Sequence, residues 1–164
     1  MCSTHSPYIV KSFGYVADEA HGLWLVMELC SGGNLAALLR SISQTSTPIH
    51  FPRSTRLRIA LCVAKAVNYM HLYQPPLCHR DLKTSNIFFH STPVIANDSV
   101  QVTYAKLGDF GVSKFVNKGV EGVLSLPEDR AMTGHRGTLQ YMVRLPRRRS
   151  VLGVIILLCM SHGY

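Results

Sequence analysis

The sequence predicts an α+β fold in which a β-hairpin, two helices and a second pair of strands follow one another. An apolar stretch at 7–10 is followed by alternation over residues 11–16, and the apolar run at 23–29 is bounded by glycines. This pattern is typical of a hairpin with a buried second strand. Residues 55–72 repeat apolar side chains at helical spacing. Shorter apolar runs at 87–89 and 100–107 are typical of strands. Together these observations predict the α+β class.

Both helices are predicted from a capping residue and from spacing. Asn34 can accept a hydrogen bond at the start of a short helix over residues 35–40. Ser54 or Thr55 can cap the longer helix, which is expected to run to about Leu72. One apolar stripe is expected along the longer helix, formed by Leu57, Ala60, Leu61, Ala64, Val67 and Met70.

The two short strands are separated by residues 90–99. This stretch is longer than a tight hairpin needs. We therefore expect a surface loop between the strands.

Two short motifs carry the chemistry of the chain. Residues 79–86 read H-R-D-L-K-T-S-N, and residues 109–111 read D-F-G. Taken singly, the two aspartates are better explained as turn positions, and the basic residues as solvated surface charges. Taken together, an acid, an ammonium, an amide and a second acid at these spacings suit phosphoryl transfer, which requires positioning and neutralisation of charge.

These motifs resemble those of the serine/threonine protein kinases. The first matches H-R-D-L-K-x-x-N and the second is D-F-G, the two catalytic signatures of that family. Residues 137–142, G-T-L-Q-Y-M, are similar to the G-T-x-x-Y-M segment of its serine/threonine branch, and residues 86–89 and 106–109 resemble the NIMA-related kinases. The resemblance implies a partial kinase-like fold: the end of the small lobe, the hinge, and the first half of the mainly helical large lobe.

The resemblance implies a role for each polar residue of the two motifs. Asp81 would accept the proton of the incoming Ser or Thr hydroxyl, and Lys83 would contact the γ-phosphate. Asn86 and Asp109 would hold Mg²⁺, which prefers hard oxygen ligands. Arg80 would pair with a phosphorylated residue of the activation loop.

Further residues are implied on the substrate side of the site. Residues 112–136 would form the activation segment, with Thr133 as the phosphosite best placed for Arg80. Thr138 would contact Asp81 from the substrate side. The partner implied here is a protein substrate that presents Ser or Thr.

The resemblance also implies an adenine site next to the hinge. Met27 would be the gatekeeper, and the backbone of Glu28 and Cys30 would hydrogen-bond the adenine edge. Phe88 would form the floor beneath the base. The implied cofactors are ATP and Mg²⁺. Ordinary core packing is the alternative for Met27 and Phe88, and a small buried apolar role is the alternative for Cys30.

Several parts of the family pattern are missing from the sequence. No G-x-G-x-x-G and no lysine motif precedes Leu23, where Lys11 is the only lysine. Residues 143–146 read V-R-L-P in place of A-P-E. We therefore expect residues 1–142 to be a partial kinase domain with strands 4 and 5, hinge, catalytic loop and activation segment. Residues 143–164 would be a divergent basic and apolar tail, and the truncated chain would have low or no activity.

The composition restricts the other classes of function. The five cysteines are scattered and form no C-x-x-C pair, which favours a reducing compartment, the cytoplasm or else the nucleus, and argues against a zinc site. The net charge is +8, and four arginines between 144 and 149 contribute to it. The apolar run at 151–160 is much shorter than the ~20 residues of a membrane helix.

Three functions are compatible with these patterns. The first is an ATP-dependent protein kinase. The second is a non-catalytic, kinase-derived binding module, in which a partner or chaperone covers the exposed lobe surface. The third is a protein whose basic tail contacts nucleic acid or membrane, although the tail has no interleaved aromatic residues to stack on bases. Neither nucleic acid nor membrane is therefore a firm partner.

Overall fold

The computed structural model describes residues 6–116. The predicted tail at 143–164, and the activation segment beyond residue 116, lie outside this range. Helices and strands follow each other in the predicted α+β order. They are β1 (Ser12–Asp18), β2 (Gly22–Met27), α1 (Leu35–Ser43), α2 (Arg53–His71), β3 (Leu77–Cys78), a 3₁₀ helix (Thr84–Asn86), β4 (Ile87–Phe89), β5 (Val94–Ala96), β6 (Ser99–Gln101), β7 (Ala105–Leu107) and β8 (Lys114–Phe115).

Strands β1 and β2 form the predicted hairpin, with Val16 opposite Trp24. The expectation that β2 is buried is wrong, because all of its residues are exposed: Leu23 is 70% and Trp24 58% accessible. Apolar side chains on both faces of a strand are buried only when both faces are covered. Within residues 6–116 this sheet consists of its two strands alone. The apolar pattern thus identified the strand and not its surroundings.

Helix α1 begins where its capping residue predicts. The side-chain oxygen of Asn34 accepts a hydrogen bond from the backbone N–H of Ala37 at 2.9 Å, which satisfies one of the donors that a helix start leaves unpaired. The helix continues to Ser43, beyond the predicted end at Arg40. Leu35 anchors its first turn in the core.

Helix α2 begins differently from the prediction. Pro52 precedes its first residue, and neither Ser54 nor Thr55 caps it. Thr55 instead lies inside the helix, where its hydroxyl donates to the backbone carbonyl of Val100 at 2.9 Å. A proline is tolerated before the first helical residue because the N–H that it lacks would have no partner within the helix.

The predicted stripe of α2 is only partly correct. Leu57 and Leu61 are exposed, because the helix turns another face towards the strands that cover it. Among the strands, it packs most extensively against β7. The residues that α2 buries are Thr55, Ile59, Ala60, Cys62, Val63, Ala66, Val67 and Met70.

The predicted surface loop at 90–99 contains a hairpin. Strand β5 pairs with β6, and the predicted strand at 100–107 is divided between β6 and β7. The turn consists of Asn97 and Asp98, whose φ angles are +51° and +53°. Two left-handed residues form the tight turn whose twist matches the flanking strands, and Asn and Asp tolerate that conformation. The Asn-Asp pair was therefore a usable turn signal.

The core lies between α2 and the β4–β7 pair. In this antiparallel pair Ile87 lies opposite Leu107, and Phe88 opposite Lys106. Ile87, Phe89 and Leu107 are fully buried against the helices. Since neighbouring residues of a strand point to opposite faces, Phe88 points away from this core. No helix among the described residues has the length and apolar character needed to cross a membrane.

Candidate active site

The first motif forms a loop between β3 and β4, and His79 joins it to the second motif. The ring of His79 is buried, and its Nε2 donates to the backbone carbonyl of Gly108 at 3.0 Å. The same ring lies 5.0 Å, centroid to centroid, from the ring of Phe110. The two motifs lie well apart in the sequence, and these contacts bring them together directly.

Asp81, Lys83 and Asn86 form a compact polar cluster on this loop. The ammonium of Lys83 lies 2.6 Å from Oδ2 of Asp81. The buried side chain of Asn86 donates from Nδ2 to the backbone carbonyl of Asp81 at 2.9 Å and to its Oδ2 at 3.2 Å. The 3₁₀ helix and β4 therefore hold the amide against the acid. Three of the predicted site residues lie together.

Asp109 lies beside this cluster. The hydrogen bond to Asp81 raises the pKa of Lys83, and the charges of Asp81 and Asp109 act in the same direction. Lys83 therefore remains cationic at neutral pH. The backbone N–H of Gly108 donates to the carbonyl of Asn86 at 3.0 Å, which places the start of the D-F-G motif against the amide. The D-F-G motif therefore begins next to Asn86.

Two residues of the site have a left-handed backbone. The φ angle of Arg80 is +66° and that of Asp109 is +64°. For residues other than glycine this conformation costs about 1–3 kcal/mol and is concentrated at functional sites. Both residues immediately adjoin the contact between His79 and Gly108, so the strained positions lie where the two motifs meet.

The donor set of this site fits a magnesium ion. Because Nδ2 of Asn86 is engaged by Asp81, its amide oxygen is the atom left for a cation. Asp109 supplies a carboxylate, of which Oδ1 accepts a long hydrogen bond of 3.4 Å from the N–H of Gly111. Mg²⁺ is bound by one or two carboxylates and retains several waters. Among residues 6–116 there is no group of three His, Cys, Asp or Glu side chains that could hold a metal ion.

Arg80 contacts the segment that follows D-F-G. Its Nε donates to the carbonyl of Val112 at 2.5 Å, and strand β8 continues from there to pair with β3. The phosphosite predicted for Arg80, Thr133, lies outside the described residues. Thr138, the predicted substrate-side contact, lies outside them too.

The hinge, residues 28–33, connects β2 to α1 and is held against β4. Gly32 donates from its N–H to the carbonyl of Phe89 at 3.1 Å, and Phe89 donates back to the carbonyl of Gly33 at 2.9 Å. A Cβ at position 32 would lie 2.2 Å from the carbonyl oxygen of Ser91. This close approach of two backbones requires glycine at position 32.

The predicted adenine residues border the hinge. Met27 ends β2 and is exposed, so core packing does not account for it in the described structure. Burial, with the charge of Glu28, raises the pKa of the half-buried Cys30 thiol. Phe88 is half-buried and approaches Gly108, where an added Cβ would lie 2.9 Å from its ring. Met27 thus precedes the hinge, Cys30 lies within it, and Phe88 lies against the glycine before the D-F-G motif.

One feature of the site was missed by sequence reasoning, an ion pair between Glu28 and Lys106. The ammonium of Lys106 lies 2.6 and 2.7 Å from the two carboxylate oxygens. Burial alone would raise the pKa of Glu28, but hydrogen bonds from Lys106 and from the N–H of Lys11 hold it below its usual value. The only available signal was a lysine inside the short apolar strand β7.

The environment of His79 predicts a pH-dependent stability. Burial lowers its pKa, against the opposing effects of the Gly108 carbonyl and the charges of Asp81 and Asp109. Its Nδ1 accepts from the N–H of Asp81, which requires the neutral ring. Unfolded histidine has a pKa of about 6.5, so as the pH falls below that value the unfolded chain binds the proton first and stability is lost.

We expect the urea midpoint of the chain to fall between about pH 7.5 and 5.5. The fall should be smaller in His79→Gln, which cannot take up this proton. Exposed His50 provides the matched control, and His50→Gln should retain the wild-type slope. An equal fall in wild type and His79→Gln would contradict the assignment.

Comparison with known proteins agrees with this geometry. A family model described as the protein kinase domain matches residues 1–144. A serine/threonine-protein kinase-like protein of Arabidopsis thaliana is 32% identical over 122 residues, which is 74% of this chain and 31% of the relative. The EPD1-interacting receptor-like cytoplasmic serine/threonine-protein kinase 5A of Gossypium barbadense is 37% identical over 131 residues, 80% of this chain and 24% of that protein.

A mammalian relative also matches most of this chain. The serine/threonine-protein kinase TNNI3K of Mus musculus is 30% identical over 142 residues, 87% of this chain and 14% of the relative. The chain thus spans less than a third of the length of these relatives. The narrower assignment to the NIMA-related kinases stays a prediction. The family model and the identities, together with the two motifs in contact, show that the chain belongs to the serine/threonine protein kinase family.

Proposed function

We propose that this site serves the transfer of the γ-phosphoryl group of ATP to a Ser or Thr hydroxyl of a protein substrate. Membership of the family implies ATP, Mg²⁺ and protein substrates in general. The observation that carries the proposal is the cluster of Asp81, Lys83 and Asn86, with Asp109 beside it. Such a constellation supplies a proton acceptor, a fixed positive charge and oxygen ligands at one place.

In this proposal each residue of the cluster has one task. Asp81 orients the substrate hydroxyl and accepts its proton. Lys83, a cation whose pKa its hydrogen bond to Asp81 raises further, contacts the γ-phosphate. Asn86 and Asp109 hold Mg²⁺, which neutralises charge on the phosphates when bound.

We assign the binding of the adenine base of ATP to the hinge. The backbone of Glu28 and Cys30 hydrogen-bonds the base, Met27 borders it as the gatekeeper, and Phe88 lies beneath it. Support comes from the position of Glu28 and Cys30 within the hinge, and from the approach of the Phe88 ring to Gly108, next to the D-F-G motif.

Regulation and location are also assigned by proposal. Arg80 pairs with Thr133 when that residue is phosphorylated, and Thr138 contacts Asp81 from the substrate side. We place the protein in the cytoplasm, or else in the nucleus, because Cys30, Cys62 and Cys78 are free thiols.

A second candidate is a kinase-derived module that binds a partner protein or a chaperone without catalysis. It is favoured by the apolar β1–β2 hairpin, whose side chains are exposed on both strands. Exposed apolar patches of this kind mark interaction surfaces. The lysine in this region, Lys11, lies over the ring of Phe13 at 5.3 Å and pairs through its backbone with Glu28, so its contacts are not those of a phosphate-binding group.

Two measurements on the full chain separate the candidates. Titration with millimolar ATP and Mg²⁺ should raise the melting temperature, and radiolabelled ATP with a generic Ser/Thr substrate should give slow incorporation. Asp109→Ala should abolish both the Mg²⁺-dependent part of the stabilisation and the incorporation. Stabilisation without incorporation would favour the binding module, and no stabilisation by the nucleotide would contradict the proposed site.

A further inference from the structure

The Glu28–Lys106 pair differs from an ordinary surface salt bridge. The side chain of Lys106 is 8% exposed and that of Glu28 15%, and the ammonium contacts both carboxylate oxygens. Oε1 of Glu28 also accepts from the N–H of Lys11 at 2.7 Å. Exposed pairs contribute little to stability, whereas removal of one partner from a buried pair leaves an uncompensated charge.

Lys106 projects from a firmly held strand. Its neighbour Leu107 donates to the carbonyl of Tyr8 at 2.8 Å and accepts from the N–H of Val10 at 2.9 Å. On the other side β7 pairs with β4, where Phe88 lies opposite Lys106. Opposite residues of an antiparallel pair point to the same face, so the ammonium and the Phe88 ring share the side of the sheet next to the hinge.

Glu28, in contrast, begins a segment without regular secondary structure. The hinge is tied to β4 at Gly32 and Gly33, and to Lys11 at Glu28. Between these ties lie Leu29, which is 85% exposed, and Cys30, whose carbonyl accepts from the N–H of Gly33. Ser31 follows, and its hydroxyl donates to the carbonyl of His90. The ion pair therefore joins the first residue of the hinge to the strand that leads into D-F-G.

We propose that Lys106 is a positioning residue for adenine recognition. By holding the carboxylate of Glu28, it keeps the backbone of the hinge in the orientation that presents its N–H and C=O groups to the base. The inference rests on the proposed function, since it requires that the hinge binds adenine. In this role Lys106 supports adenine binding without contacting the ligand itself.

Adenosine is the suitable probe because it lacks the phosphates that Asp109 and Lys83 would serve. Calorimetry on the full chain should show adenosine binding that Lys106→Met weakens at least about tenfold, as expected when a buried charge loses its partner. Lys106→Arg, which keeps the charge and donors, should restore most of the affinity. Lys114→Met removes an exposed lysine on β8 and should bind like wild type.

A loss of affinity must be distinguished from a loss of folded protein. Binding is therefore measured well below the melting temperature of each variant. Should Lys106→Met fail to fold, Glu28→Gln keeps the shape of the acid without its charge and should also weaken adenosine. Wild-type affinity in every folded variant would overturn the inference and leave the proposed function intact. If the wild-type chain binds no adenosine, the proposed function itself fails, and the inference fails with it.

Discussion

Asp81→Asn is expected to lower phosphate incorporation by about 10²–10⁴-fold, the usual contribution of a positioned general base. Asparagine retains the size of the side chain, and its oxygen can still accept from Asn86, which lies 3.2 Å from Oδ2 in the wild type. It cannot accept the proton of the substrate hydroxyl, and it no longer offers Lys83 a charged partner. Adenosine binding should stay unchanged, because the hinge is not altered.

The measurement is the initial rate with radiolabelled ATP and a generic Ser/Thr substrate. Asp18→Asn is the matched control, since Asp18 is the exposed last residue of β1, where its side chain accepts from backbone N–H groups of the hairpin turn. That variant should keep the wild-type rate. A similar rate in Asp81→Asn and wild type would exclude Asp81 as the proton acceptor.

Phe89→Ala is expected to have the largest effect on stability, about 3–5 kcal/mol. Phe89 is fully buried between the β4–β7 pair and the helices, and its backbone ties the hinge through Gly32 and Gly33. Truncation leaves a cavity that a packed core fills only in part. A typical domain has about 5–15 kcal/mol of net stability, so the variant should lose a large share of it.

Urea unfolding followed by circular dichroism measures this difference. Phe13→Ala is the matched control, since Phe13 is 62% exposed and its truncation should change the free energy of unfolding by less than about 0.5 kcal/mol. Similar losses in the two variants would show that the core does not lie where the structure places it.

The candidate site was largely predictable because its residues lie close together in sequence. Asp81, Lys83 and Asn86 fall within one loop and a 3₁₀ turn, so spacing alone places them near each other. The position of Asp109 depends in addition on the pairing of β4 with β7, which the two short strand-like runs indicated correctly. The cap at Asn34 was predictable for the same reason, because a cap acts on a backbone donor three residues away.

Other features depended on contacts that no local pattern encodes. The apolar run of β2 identified a strand, yet its exposure follows from what covers it in space. Which face α2 buries was decided by its packing on β7, and Leu57 and Leu61 therefore lie outside the core.

The sequence alone determined which chemical groups the site contains, because side-chain identity, motif spacing and capping involve residues that are close together in the sequence. Only the tertiary structure decided that Glu28 and Lys106, 78 residues apart, form a largely buried ion pair at the hinge. The physical reason is that burial and ion pairing depend on how distant segments pack. Backbone preferences and side-chain periodicity, in contrast, depend only on residues that are close together in the sequence.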